Sequence, residues 1–493
     1  MGNISKFNDP PKIYTQKNRF IQSYGQCDAC SPVVFLNKDK PHAISPDTEF
    51  VKNKNLVVQK IDEGYTAFLT PAINSFSVLN KSAFDCFEYF LIPENSTKIN
   101  QELSDIWGKK TVDRIFKKMV DLGILVDVDA SFIPHENPDT LTAWLHITDR
   151  CNLRCQSCYL THKNIDMSLK IGIAAIDAIF RSALIHNYSH IKIKYAGGEP
   201  LFKFELIKRL HFHAVELSKK HCIELEEVIL TNGTLLDVEK IHSIKEWGVK
   251  LTISLDETGK KTNQQRIFAN GEGSANKVKM LVDISLYHGL APKISITLTS
   301  NNINEFPDLT RWVLKRKLSF NINFDRRIGD LFNKESIKYD EAEMINGIFA
   351  GYKIIEQYLP QNSLLACLAD RINLSAPRLR TCSLGLSYLV INPLGNVYKC
   401  QMIMNSPVTT IYSNDPLAHV IKNDNQIQNK IVDEKNLCSA CKWKYWCTGG
   451  CPLNAQISNK GKELQPAYCN LYKSIIPEII RLEALRILKY ERN

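Results

Sequence analysis

The sequence predicts an α/β protein: a partial (β/α)6 barrel, preceded by a small α+β module and followed by a cysteine-rich domain. Three observations carry this. Short apolar runs alternate with amphipathic stretches between residues 141 and 330. Ahead of them, three strand-like runs are followed by three helix-like runs. Behind them, seven of the 15 cysteines fall between Cys382 and Cys469, a clustering that scattered core thiols would not give.

Composition sets the outer limits. The 493 residues are 44% hydrophobic and 23% charged, ordinary for a globular chain of several domains. The net charge of +10 is spread along the chain. No Lys/Arg run reads as a nucleic-acid arm. Met1–Gln22 is polar and lacks the apolar segment of a signal peptide. No stretch approaches the roughly 20 apolar residues of a membrane helix. The expectation is a cytoplasmic protein with no nucleic-acid or membrane partner. Reduced thiols in that compartment make metal sites the natural use of clustered cysteines.

Residues 1–50 are rich in Asn, Lys, Pro and Asp and read as an irregular segment. Cys27 and Cys30 form a lone C-x2-C there, and a metal site would need two further ligands; two free thiols are the default. Residues 51–130 change character. Asn55–Lys60, Tyr65–Thr70 and Ser75–Asn80 read as strands, with Gly64 and Pro71–Asn74 supplying turns. Ser82–Leu91 puts Phe84, Phe87 and Phe90 on one helical face, Lys98–Trp107 is a short helix, and Thr111–Leu122 spaces Val112, Ile115, Phe116 and Met119 helically. Gly123 caps that helix before a strand. This is a winged-helix-like module. A DNA-reading version would want a basic helix, but Arg114, Lys117 and Lys118 are offset by Asp113 and Asp121; a plain packing domain is the other alternative.

Residues 131–140 form a linker. The barrel strands are then Thr142–Thr148, Ile191–Tyr195, Glu227–Leu230, Lys250–Leu255, Lys293–Leu298 and Ser319–Phe324. Such an arrangement is TIM-like, and its active-site loops follow the C-terminal strand ends. The first strand runs into Cys151-x3-Cys155-x2-Cys158. Three thiolates suit an iron–sulfur cluster and leave one iron of a [4Fe–4S] cube open. The second strand ends in Gly197-Gly198-Glu199-Pro200, where paired glycines admit a close ligand and a carboxylate suits an ammonium. The third ends in Asn232-Gly233, and the fourth contains Ser254-Leu255-Asp256.

Residues 331–380 bridge to the last domain, with a helix expected over Tyr339–Tyr358. In residues 381–475, Cys382 and Cys400 fit C-x12-G-x4-C about Gly395, and Cys438, Cys441, Cys447, Cys451 and Cys469 follow. A zinc ribbon would need only four. Cys367 lies in an apolar, helix-like run, and Cys86 and Cys222 read as core or surface thiols. Residues 476–493 end the chain in an amphipathic helix, expected over Ile475–Tyr490.

These motifs resemble the radical S-adenosylmethionine (SAM) superfamily. The resemblance implies that Cys151, Cys155 and Cys158 ligate a [4Fe–4S] cluster whose open iron binds SAM. Gly197, Gly198 and Glu199 then hold the SAM amino group, Asn232 and Ser254 line its ribose and carboxylate side, and Arg266 pairs with its carboxylate. The position before the third cysteine, usually an adenine-stacking aromatic, is Ser157 here, and Tyr159 is the substitute. The later cysteines are similar to a SPASM domain, which implies two auxiliary [4Fe–4S] clusters. Cys438, Cys441, Cys447 and Cys469 hold one; Cys382, Cys400 and Cys451 hold the other, which Cys367 either closes or leaves with an open iron. The N-terminal module resembles the recognition element of peptide-modifying systems, which binds a leader peptide by β-augmentation.

The function so implied is a peptide maturase of ribosomally made precursors. It would cleave SAM reductively, abstract hydrogen from a precursor held by the N-terminal module, and install a thioether or cyclophane crosslink. Flavodoxin or ferredoxin would supply electrons. An anaerobic sulfatase-maturating enzyme is the alternative, but that family carries Asp after the second SPASM cysteine, and Gln401 stands here. An iron–sulfur DNA-binding regulator is the non-enzyme alternative, and it has no need of a SAM clamp.

Overall fold

A computed structural model describes residues 9–15, 34–35, 48–71, 76–91, 93–129, 135–136, 138–259, 263–325, 340–423, 427–458 and 468–491. The Cys27/Cys30 pair lies outside the described residues. Among those described, no helix is long and apolar enough to cross a membrane.

Strand β1 (Ile13–Thr15) comes from the segment expected to be irregular, as does β2 (Glu49–Lys52). Each is too short to announce itself by pattern, and each exists through its partners. Strands β3 (Val57–Lys60), β4 (Tyr65–Leu69) and β5 (Phe76–Asn80) form an antiparallel sheet in the order β1-β5-β4-β3. Helices α1 (Lys81–Glu88), α2 (Ser96–Trp107) and α3 (Lys109–Asp121) follow, then β6 (Leu125–Asp127), which pairs with β2. Asn80 and Asn95 start α1 and α2 by accepting from Ala83 N and Lys98 N. The pleat sends Phe68 and Leu79 toward α1 and α3, and Ala67, Leu69 and Val78 toward the main core. That second face is covered by the C-terminal helix, α11 below. The module is therefore buried on both sides of its sheet.

The central sheet contains six parallel strands in sequence order: β7 (Thr140–Thr148), β8 (His190–Gly197), β9 (Glu224–Thr231), β10 (Lys250–Ser254), β11 (Lys293–Leu298) and β12 (Phe320–Phe324). Helices α4 (Leu169–Ile185), α5 (Phe204–His221), α6 (Val238–Glu246), α7 (Ala275–Tyr287) and α8 (Phe306–Lys315) fill the crossovers. Every predicted core strand is present: β7, β8 and β9 are longer than expected, β11 matches, and β10 and β12 are each one residue shorter. Helix α9 (Glu341–Tyr358) begins at its Asp340 cap. The run around Cys367 departs from its helix-like reading: Leu365–Cys367 is a turn, and no helix forms there.

The sheet continues past β7. Strand β13 (Tyr388–Ile391) pairs with β7 in parallel, with Ala143 opposite Leu389, and β14 (Asn396–Tyr398) and β15 (Thr409–Thr410) add antiparallel strands. Gly395, at φ 80°, makes the β13–β14 turn. Cys382 and Cys400 flank this hairpin, so the cysteine-rich region begins as an extension of the central sheet. Helix α10 (Pro416–Lys422) and the closing helix α11 (Cys469–Glu491) complete it.

Candidate functional site

The loop after β7 is held by backbone from two directions. Arg154 N and Gln156 N donate to Ile267 O and Gln265 O at 2.7 and 3.0 Å. Asn152 Nδ2 donates to Thr234 Oγ1 at 2.8 Å, after β9. So fixed, Cys151, Cys155 and Cys158 line one cavity of about 250 Å3 at the C-terminal strand ends. Gly197, Gly198, Asn232, Ser254, Arg266 and Tyr159 line it too. The predicted residues therefore converge, with one exception.

That exception is Glu199. Its side chain is fully buried and is not part of the cavity lining. Oε1 accepts from Thr231 Oγ1 at 2.6 Å and Leu201 N at 3.0 Å, and Oε2 accepts from Asn232 N at 2.8 Å. Burial pushes its carboxyl up to about 7 against these three donors. These bonds give Glu199 a positioning role: it ties the Gly-Gly turn to the end of β9.

The two glycines are required by the chain itself. Gly198 N and Glu199 N donate to Thr148 O and Arg150 O at 2.7 and 2.8 Å, so the two loops lie backbone on backbone. A Cβ on Gly197 would stand 2.2 Å from Thr148 O, and one on Gly198 would stand 2.1 Å from Arg150 O. Close approach of a ligand was the expected reason; the close approach of two loops is the observed one.

Asn232 and Arg266 each reach toward a thiol. Asn232 Nδ2 lies 3.8 Å from Cys151 Sγ and donates to Asn152 Oδ1 at 3.0 Å. Arg266 Nη1 lies 3.8 Å from Cys155 Sγ, while its Nε donates to the buried Asp256 at 2.7 Å. Asp256 also accepts from Thr297 N at 2.7 Å, which fixes the guanidinium across two strands. Asp256 was visible only as the third residue of Ser254-Leu255-Asp256, with no role attached.

The inner faces of β10, β11 and β12 were also missed. Thr252, Ser295, Thr297, Asn321 and Asn323 line the cavity. Strands covered on both sides are normally apolar on both, so a polar inner face marks a lumen for a ligand. Asn321 is buried, and its Oδ1 has no hydrogen-bond partner among the described residues. Alternating Thr/Ser/Asn in these strands is the signal that would have found the face.

The later cysteines fall in two places. Cys438, Cys441, Cys447 and Cys469 line a second cavity of about 150 Å3 with Tyr472 and Lys473. Cys382 and Cys400 pack together with Tyr388, Tyr398 and Trp144, and Cys451 is their electrostatic neighbour. Among the described residues, no three His, Cys, Asp or Glu side chains close on a single-ion site. Thiols arranged around a void suit a multi-atom iron–sulfur group instead. Cys367 stands apart. It is buried in the main core, its charged neighbours are Lys293, Glu483 and Arg486, and burial pushes its thiol up to about 12. It is not among the residues that line the second cavity or pack with Cys382 and Cys400.

Side chains connect the three places. Trp144 lines the first cavity and packs against Cys382 and Cys400. Gln401 and Met402, directly after Cys400, line the first cavity as well. Phe324, on its wall, stacks on Tyr472 of the second cavity with ring centroids 6.0 Å apart.

Residues 145–313 match the Radical SAM superfamily. The chain is 30% identical over 183 residues to an uncharacterized protein of Methanocaldococcus jannaschii, covering 36% of this chain and 61% of that relative's length. It is 25% identical over 345 residues to the antilisterial bacteriocin subtilosin biosynthesis protein AlbA of Bacillus subtilis, covering 66% of this chain and 70% of AlbA. Among solved structures, anSMEcpe with bound AdoMet and Cp18Cys peptide has the same fold, with a TM-score of 0.56 at 17% identity over 70% of this chain and 99% of that one. The sheet, the cysteine loop and the sequence match agree: residues 145–313 are a radical SAM domain, a type that works with a [4Fe–4S] cluster and S-adenosylmethionine.

Proposed function

We propose that the chain is a radical SAM peptide maturase that installs a thioether or cyclophane crosslink in a precursor peptide. The observation that carries the reading is the convergence of Cys151, Cys155, Cys158, Gly197, Gly198 and Arg266 on one polar-walled cavity. Three soft donors in one short loop fit a cluster with one open iron. When bound, the cluster and SAM supply a 5′-deoxyadenosyl radical, which takes a hydrogen atom from a C–H bond. The protein's part is to hold and orient. Arg266, fixed by Asp256, would pair with the SAM carboxylate. Asn232 and Ser254 offer hydrogen bonds at the strand ends, and Tyr159 supplies an aromatic surface near Ser157. Glu199 acts through Asn232 and the Gly-Gly turn. The lumen of Asn321, Asn323 and Thr297 receives the target group and shields it from water.

By the same reading, Cys438, Cys441, Cys447 and Cys469 hold one auxiliary [4Fe–4S] cluster. Cys382, Cys400 and Cys451 would hold a second, and the packing of Cys367 in the main core favours a set without it. A peptide substrate is supported by the likeness to a bacteriocin biosynthesis protein, which extends well beyond residues 145–313. The N-terminal module is its recognition element, and flavodoxin or ferredoxin is the electron donor. The formylglycine alternative is disfavoured at Gln401: its Oε1 accepts from Tyr388 OH at 2.9 Å, and an amide there is no proton acceptor for a substrate.

The test is anaerobic incubation of reconstituted protein with SAM and dithionite, read for 5′-deoxyadenosine, then co-expression with the product of a neighbouring short reading frame. Loss of two hydrogens per crosslink by mass spectrometry is the expected result. Absence of 5′-deoxyadenosine would sink the enzyme reading.

A further inference from the structure

The edge of the N-terminal sheet is filled by the chain itself. Strand β1 lies antiparallel on β5, with Ile13, Tyr14 and Thr15 opposite Leu79, Val78 and Ser77. Among the described residues, the polar contacts that anchor residues 9–13 run to main-chain atoms of the segment. Lys12 N donates to Asn80 Oδ1 at 2.8 Å, and Asn80 N donates to Lys12 O at 3.1 Å. Asn80 Nδ2 donates to Pro10 O at 2.9 Å, and Ser82 Oγ donates to Asp9 O at 2.7 Å. Lys118 of α3 reaches across to donate to Ile13 O at 2.8 Å. Side-chain contacts are apolar: Pro11 is buried, Ile13 sits in the core that α1 and α3 build with Leu79, and Tyr14 packs against the main core. Tyr14, on the other face, meets Tyr65 edge-on at 6.2 Å.

A groove that grips main chain and selects only an alternating apolar residue accepts extended peptides by strand addition. Its natural occupant need not be this chain. Asn80, Ser82 and Lys118 would make the same bonds to any extended backbone in register, and β5 would otherwise expose a row of unpaired groups. We propose that residues 9–15 are a displaceable plug in a strand-accepting groove between β5 and α3, and that an external extended peptide binds there in their place. The ligand class is an extended peptide with a β-branched apolar residue at the Ile13 position and a small apolar residue two positions before it. That the displacing peptide is the precursor rests on the proposed function; the exchange itself does not. A tethered segment acts at an effective concentration on the order of millimolar, so the plug sets a threshold that a leader must exceed.

The experiment uses reconstituted protein and a fluorescein-labelled synthetic peptide of residues 8–16. Its binding is followed by fluorescence anisotropy to the full chain, to a chain lacking residues 1–16, and to a full chain cut at a protease site introduced between residues 17 and 33. The shortened chain should bind one peptide at least about tenfold more tightly than the full chain, since the intramolecular competitor is gone. The cut chain should exchange its own segment for the labelled peptide on dilution, which answers the question even if the shortened chain fails to fold. A peptide carrying Ile13→Asp should not bind either form. Equal binding to full and shortened chains, no exchange in the cut chain, or equal binding of the Ile13→Asp peptide would overturn the plug. Measuring 5′-deoxyadenosine on the same samples separates the two proposals, because failure of SAM cleavage leaves peptide exchange intact and the reverse also holds.

Discussion

Gly198→Ala adds one methyl group at the point where the two cavity loops touch. The new Cβ would stand 2.1 Å from Arg150 O and 2.6 Å from Arg150 C, against the 3.0 Å below which real contacts essentially do not occur. Both neighbours are backbone, so no side chain can swing aside. The Arg150 carbonyl has to retreat by about 0.9 Å, and Cys151 is the next residue. The retreat strains the hydrogen bonds from Gly198 N to Thr148 O and from Glu199 N to Arg150 O. Overpacking of this kind costs about 1–3 kcal/mol, and each weakened hydrogen bond adds about 1 kcal/mol. A displacement of about 1 Å at a reacting centre lowers turnover on the order of a hundredfold. The assay is 5′-deoxyadenosine formation with iron content, beside Gly64→Ala, whose Cβ meets nothing closer than 3.5 Å. Gly198→Ala should lose about one third of the iron and nearly all SAM cleavage, while Gly64→Ala keeps both. Wild-type iron and cleavage in Gly198→Ala would refute the argument that the loops are locked backbone to backbone.

Cys155→Ala should abolish 5′-deoxyadenosine and leave about 8 of about 12 irons; full cleavage would remove it from the cluster. Cys447→Ala should also lose about 4 irons, whereas Cys367→Ser should keep all of them, because Cys367 lies in the main core among Lys293, Glu483 and Arg486. Glu199 is raised from 4.5 to about 7 by burial. Its protonated form is the one the fold prefers, so its contribution is greatest below the unfolded value and falls as pH rises through that window, by about 3 kcal/mol in all. Glu199→Gln should flatten the pH dependence of unfolding between about pH 5 and pH 8 relative to wild type; parallel curves would contradict the buried-carboxyl assignment.

Much of the site was legible because it is written in local spacing. Cys151, Cys155 and Cys158 belong to one loop, and the strand that delivers them is a continuous apolar run. The same holds for the Gly-Gly turn and for Asn232 and Ser254, each at the end of a strand whose side chains alternate. The partners of Glu199 could not be read from its own loop, because they are Thr231 and Asn232, more than thirty residues later. Cys367 read as helical because its neighbours are apolar, yet its carbonyl accepts from Ile322 N of β12, a long-range bond that no local pattern encodes. The polar lumen escaped notice because Asn321 and Asn323 look like surface residues until both faces of the sheet are seen to be covered.

The sequence by itself determined the alternation of strands and helices, the loop that gathers three thiols, and the clustering of the seven later cysteines. These follow from periodicity and spacing, which act over a few residues. Only the tertiary structure decided that β13 extends the central sheet beside β7, that Trp144 and Phe324 link the thiol sets to the cavity, and that Ile13–Thr15 is a strand. Those outcomes depend on which surfaces meet across the chain: a three-residue strand has no stability of its own and forms only where Asn80, Ser82, Lys118 and the Leu79 core hold it.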